Sequence, residues 1–107
     1  MGLKKEHFLV IQLNTKNHIL KVETVSIGSL NASIVHPREV FKDAVKNSAA
    51  SIILGYNHTS GDPHPSREDC QVTERIVKGG ILLGIDVIDH VIIGKGNYFS
   101  FKEEGMI

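Results

Sequence analysis

Apolar and polar positions alternate through the first quarter of the chain in two blocks. Phe8, Val10 and Leu13 mark a β-rich run, Phe8–Leu13; Asn14-Thr15-Lys16-Asn17 interrupts it; Ile19–Ile27 then alternates again through Leu20 and Val22. Strand side chains change face with period two, so these blocks predict two strands around an Asn-rich turn, a hairpin. Residues 28–33, Gly-Ser-Leu-Asn-Ala-Ser, read as a loop. The period then lengthens: Pro37 opens a helix at the position that favours proline, and Val40, Phe41, Ala44, Val45 and Ser48 recur on one face.

Ala50–Leu54 is a short, nearly continuous apolar run, the pattern of a strand buried on both faces. Residues 55–65 follow as a loop, since Gly61, Pro63 and Pro65 oppose regular structure. Ser66-Arg67-Glu68-Asp69 has the form of a capping box, with Asp where Glu or Gln is usual, and starts a second helix. Val72, Ile76, Leu83 and the small Gly79-Gly80 pair form its apolar side, and the glycines weaken its end. Val87–Ile93 reads as a strand, Gly94–Asn97 as a turn, and Tyr98–Phe101 as a last strand pairing back. The sum is an α/β fold, a mixed sheet of about five or more strands with at least two helices packed on it. Nothing divides or repeats, so residues 1–107 form a single domain.

Composition narrows the function. The chain is 41% hydrophobic and 22% charged, ordinary for a globular domain and unlike a disordered one. Lys plus Arg and Asp plus Glu each number 12, so direct nucleic-acid binding finds no support in charge. Cys70 is the single cysteine; it excludes an intrachain disulfide and suits a reducing compartment as a half-buried helical residue. No apolar run approaches the roughly 20 residues that cross a bilayer. The N-terminus lacks a signal-peptide core, and Met1-Gly2 lacks the Ser or Thr that myristoylation expects at the sixth position. A cytoplasmic protein without a membrane partner is expected.

Residues 55–69 concentrate the candidate chemistry, with His58, Asp62, His64, Ser66 and Asp69 in one loop that runs into a helix. A strand over Ala50–Leu54 delivers residues 56 and 58 to one side of its carboxyl end. Asp69 falls in the first turn of the following helix, whose positive end also favours anionic oxygen. A catalytic zinc commonly takes three protein ligands and leaves a fourth position for water. His58 and Asp69 suit such a role, Ser66 stands where a hydroxyl can support an oxyanion, and Glu6, just before the first strand, is a candidate general base.

This layout resembles the JAMM (MPN-type) metalloproteases: a Glu before a strand, then His-x-His, seven residues, Ser, two residues, Asp. More narrowly it is similar to the C-terminal domain of the RadC family. The likeness runs through Glu6-His7-Phe8, Leu13–Asn17, Ser26–Ser33, Val35–Phe41, Asn57-His58 to Ser66–Asp69, Leu83-Gly84-Ile85, Asp89-His90 and Phe101–Gly105. It implies an MPN/JAMM-like fold with a cytidine-deaminase-like layout, zinc as cofactor and a peptide or isopeptide substrate. It also implies His58 and Asp69 as ligands, Ser66 as transition-state donor and Glu6 as base. The helix-hairpin-helix segment that usually precedes the domain is absent from these residues. Tyr56 departs from the pattern, standing where the first His ligand belongs. A phenol, with a pKa near 10, must lose a proton to become a good zinc ligand at neutral pH.

Plainer readings stand beside these. Ser66 and Asp69 are a helix cap, Glu6 a solvated charge, and Asp62 the cap of its own turn. His64, between two prolines, is a substitute ligand or an exposed loop residue. His90 is a hydrogen-bonded structural histidine, while His7, His18 and His36 lie at the surface or at strand ends. Two functions follow: a zinc-dependent peptidase or isopeptidase weakened or silenced at Tyr56, or a catalytically inactive binding module whose link to DNA repair rests on the family's name. The free edges of such a sheet make a homodimer plausible.

Overall fold

The computed structural model describes residues 5–27 and 35–107. The expected loop over residues 28–33 and the motif residues within it lie outside them, as do the first four residues. Five strands form one sheet in the order β2-β1-β3-β4-β5. They are β1 (His7–Leu13), β2 (Ile19–Ile27), β3 (Ser51–Asn57), β4 (Asp86–Ile93) and β5 (Tyr98–Ser100), with helices α1 (Pro37–Lys46) and α2 (Arg67–Leu83). β3 pairs antiparallel with β1 and parallel with β4, so the sheet is mixed, as the pattern predicts.

The hairpin of β1 and β2 turns where the asparagines stand. Asn14 Oδ1 accepts from the backbone N–H groups of Lys16 and His18, and Asn17 takes a left-handed φ of 62° that asparagine tolerates. Both helices cover the face carrying Phe8, Val10, Ile52, Leu54 and Tyr56, which with Val40, Phe41, Ala44, Val72 and Ile76 makes the core. Ile53 and Leu9 on the other face are only half-buried, so β3 is fully covered on one face rather than two.

Four expectations need correction. β3 continues through Gly55, Tyr56 and Asn57, which the sequence assigned to the loop; their pairing with Leu9 and Phe8 on one side and Val91–Ile93 on the other outweighs the glycine. α1 buries Val40, Phe41 and Ala44, but it ends at Lys46, leaving Val45 exposed and Ser48 in a turn at φ 55°. In α2, Leu83 is 53% exposed instead of joining Val72, Ile76 and Gly80. The Gly79-Gly80 pair sits inside a helix that runs on to Leu83, and its role is close approach. A Cβ on Gly80 would stand 2.4 Å from the Ile85 carbonyl oxygen, and one on Gly79 would stand 3.3 Å from Pro37 Cβ. The glycines therefore seat α2 against β4 and α1. Lesser shifts are the start of β4 at Asp86 and the end of β5 at Ser100, with Phe101 buried in the turn beyond. Among the described residues no helix is long and apolar enough to cross a membrane.

Candidate metal centre

The carboxyl end of β3 and the first turn of α2 bring His58 and Asp69 together. His58 lies one residue past β3, its N–H donating to the Ile93 carbonyl across the parallel pair. Asp69 is placed by the capping box: Ser66 Oγ accepts from the Asp69 N–H at 3.0 Å, and Asp69 Oδ2 accepts from the Ser66 N–H at 2.7 Å. The expected box is present, with Asp as the carboxylate at the third helical position. His58 Nε2 then stands 2.9 Å from Asp69 Oδ2, a pair whose side chains are 13% and 2% exposed.

The second nitrogen of His58 fixes its proton. Nδ1 lies 2.8 Å from the Asp62 carbonyl oxygen, which can only accept, so Nδ1 carries hydrogen. That contact turns Nε2 toward Asp69, the orientation a histidine ligand takes when an outer carbonyl holds its other nitrogen. Two donors each about 2.0–2.1 Å from a tetrahedral zinc stand about 3.3 Å apart, so the 2.9 Å pair needs only a small opening. Asp62 itself makes the turn expected of it, with Oδ1 accepting from the His64 N–H.

The third position is different. Tyr56 is buried, faces His58 edge-on with ring centroids 5.1 Å apart, and donates its hydroxyl to Glu6 Oε1. Glu6 Oε2 also accepts from the Thr59 N–H at 3.3 Å and from the Thr59 hydroxyl at 3.4 Å. Tyr56 and the candidate base Glu6 are thus each other's partners. His64 does not fill the gap, because its ring packs against Phe99 at 5.7 Å. Among the described residues no three His, Cys, Asp or Glu side chains gather as a metal-binding group. One imidazole, one carboxylate and a neutral phenol already hydrogen-bonded to Glu6 do not make a zinc site of three good donors.

Sequence reasoning passed over the residue that sets Glu6 in place. Asn57 is 5% exposed; its Oδ1 accepts from the His7 N–H at 2.6 Å and its Nδ2 donates to the Lys5 carbonyl at 3.1 Å. Both bonds bracket Glu6 and clamp the start of β1 onto the end of β3. The signal was an asparagine, a poor strand former, beside an apolar run. Gly94 has a similar hidden part. A Cβ there would meet the Gly61 oxygen at 2.3 Å and Pro63 Cδ at 2.7 Å, so only glycine lets the loop bearing Asp62 lie against the end of β4.

Behind the centre, His90 is 0% exposed, stacked on Phe101 at 4.8 Å and edge-on to Phe8 at 5.7 Å. The Thr73 hydroxyl donates to the Asp69 carbonyl at 2.8 Å and accepts from His90 Nδ1 at 2.6 Å. Burial lowers the His90 pKa to about 3, against a smaller raising effect of Asp89. It is the structural histidine the sequence predicted. Cys70 is half-buried on α2, and burial, with Asp69 next to it, raises its thiol pKa.

The RadC-like JAB domain family matches residues 1–106. A UPF0758 protein of Methanosarcina mazei is 65% identical over 104 residues, covering 97% of this chain and 45% of its own. UPF0758 proteins of Caldanaerobacter subterraneus and Geobacillus thermodenitrificans are 65% and 58% identical, over 96% and 98% of the chain. The chain spans a little under half the length of these relatives. On the family match and on identity along nearly its whole length, the chain belongs to the RadC-like JAB domain family.

Proposed function

We propose that this domain is a binding module built on a metallopeptidase fold, with zinc-dependent peptide or isopeptide hydrolysis weakened to near loss. The hydrogen bond from the Tyr56 hydroxyl to Glu6 carries the reading. Hydrolysis at such a centre needs a third metal donor and a carboxylate free to take a proton from water. Here one hydrogen bond occupies both. Zinc supplies Lewis acidity wherever it is bound in such a fold, but two good donors hold it weakly. What remains is a polar surface, exposed Thr59 and Ser66 beside the His58–Asp69 pair, suited to the polar backbone of a peptide. The balanced charge of the chain speaks against nucleic acid as direct partner, so the DNA-repair association of the family's name would run through another protein. The lone Cys70 suits the cytoplasm.

A second reading has one observation in its favour. His58 is already held by the Asp62 carbonyl as a zinc ligand would be, so residual metal-dependent peptidase activity can survive. Elemental analysis separates the two. The purified chain is expected to hold well under one zinc per molecule after dialysis against zinc. Tyr56→His should raise it toward one, while Tyr56→Phe, which releases Glu6 without adding a donor, should not. Full zinc occupancy in the unaltered chain, or no gain in Tyr56→His, refutes the proposal.

A further inference from the structure

β2 forms one margin of the sheet, with β1 as its sole neighbour. It is nine residues long and exposes large apolar side chains, Ile19 (64%), Leu20 (46%) and Val22 (52%). Edge strands are ordinarily short, charged, bulged, broken by proline or covered, because an open edge recruits another strand; β2 carries Lys21, Glu23 and an irregularity toward each end, which leaves Lys21–Thr24 as its regular open stretch. The opposite margin, β5, is only three residues long.

We propose that β2 pairs antiparallel with β2 of a second copy of this chain, about a two-fold axis through Val22. Charge selects the axis. If the helix layers of both copies lie on the same side of the joined sheet, directly opposed residues share a face, and the axis must pass through a residue. An axis through Glu23 sets two glutamates opposite each other, and one through Lys21 sets two lysines there; both are unfavourable. An axis through Val22 sets Lys21 opposite Glu23 twice and Val22 opposite Val22, all within the stretch Lys21–Thr24 whose register against β1 is regular. On the helix face, Lys21 already lies 3.0 Å from Asp43 and 4.0 Å from Glu23, so its ammonium is held at the margin. On the other face, Val22 is registered with half-buried Ile11, and pairing joins two partly covered apolar surfaces into one. The inference is independent of the His58–Asp69 centre, and the tests of the two do not overlap.

Charge exchange on the full chain, followed by sedimentation velocity up to ~100 μM, tests the pairing. The unaltered chain should show a monomer–dimer equilibrium. Glu23→Lys and Lys21→Glu, each alone, should weaken it by roughly tenfold or more, since each replaces two attractive pairs by two repulsive ones. An equimolar mixture should recover a dimer as the heterodimer, which also shows that both variants are folded. A monomer at every concentration, or single variants that dimerise like the parent, overturns the proposal. Register is read by cross-linking in a Cys70→Ser background. Val22→Cys places two Cα atoms about 4.5–5.5 Å apart, within disulfide reach, and should cross-link on mild oxidation. Leu20→Cys places them about 13 Å apart and should not. The reverse result refutes the Val22 axis, and a β2 edge that takes only an unrelated extended peptide refutes self-pairing.

Discussion

Mild acid should destabilise this domain through one buried side chain, His90. Its imidazole is fully enclosed between Phe101 and Phe8 and is held neutral, with a pKa lowered to about 3 by burial from an ordinary 6.5. Between those two values the unfolded chain binds a proton at this histidine and the folded chain does not. Acid therefore favours unfolding, and stability falls by about 1.4 kcal/mol for each pH unit below about 6.5. At pH 5 the loss is roughly 2 kcal/mol, a large part of the 5–15 kcal/mol typical of a domain. The assay is urea unfolding at pH 7, 6 and 5, comparing the parent with His90→Gln, which keeps a donor for Thr73 but cannot take the proton. The variant should start less stable at pH 7, having lost the ring stack, and should then show a flatter dependence on pH. Asp43, whose pKa is lowered to about 2 chiefly by hydrogen bonds from Gln12 and Lys21, titrates well below this window. Parallel pH dependences for the two proteins would refute a neutral, buried His90 as the source.

The clamp and the loop offer two more tests. Asn57→Ala removes both bonds bracketing Glu6 and should cost about 1–3 kcal/mol in urea unfolding, with faster hydrogen exchange at the start of β1; unchanged exchange at His7 would contradict the clamp. Gly94→Ala forces a Cβ onto the Gly61 carbonyl and should lower stability by about 1–3 kcal/mol while shifting the NMR signals of His58 and Asp62; a neutral effect would show the loop free to retreat.

Much of this architecture was legible because local rules and tertiary packing agree. The Asn-rich turn, proline at the start of α1, the Ser66 capping box and the alternation of β1 are each local signals that the fold keeps, whereas the apolar residues of β2, Ile19, Leu20 and Val22, all stay exposed. The misreadings share a cause, which is that nonlocal contacts decide them. Gly55-Tyr56-Asn57 looks like loop until strands on both sides pair with it. Gly79-Gly80 looks like a helix end until Phe41 and Ile85 are seen to need the space. In the site, His58, Ser66 and Asp69 were visible as spacing, and Tyr56 as a departure from a pattern. That the Tyr56 hydroxyl meets Glu6, 50 residues away in sequence, depends on how β1 and β3 are registered, with Phe8 opposite Tyr56.

Those pairings also explain what holds the buried polar groups around His58 in place. Asp69 is a carboxylate with 2% exposure, and such a group is costly unless donors surround it. Within the protein it accepts from the Ser66 N–H, and His58 Nε2 stands 2.9 Å from it while Nδ1 keeps its own contact at Asp62. Ser66 and Asp69 also cap a 17-residue helix, worth about 1 kcal/mol for a cap alone, so the fold retains them whatever the chemistry. Tyr56 closes the remaining gap, since its phenol is large enough to fill a buried position and polar enough to satisfy Glu6. A histidine there would supply a third donor but would leave Glu6 to water and Thr59. Tyr56 and Glu6 therefore satisfy each other through protein groups alone. Among the described residues the only buried side-chain polar atom left without a partner is His90 Nε2, behind the centre rather than in it.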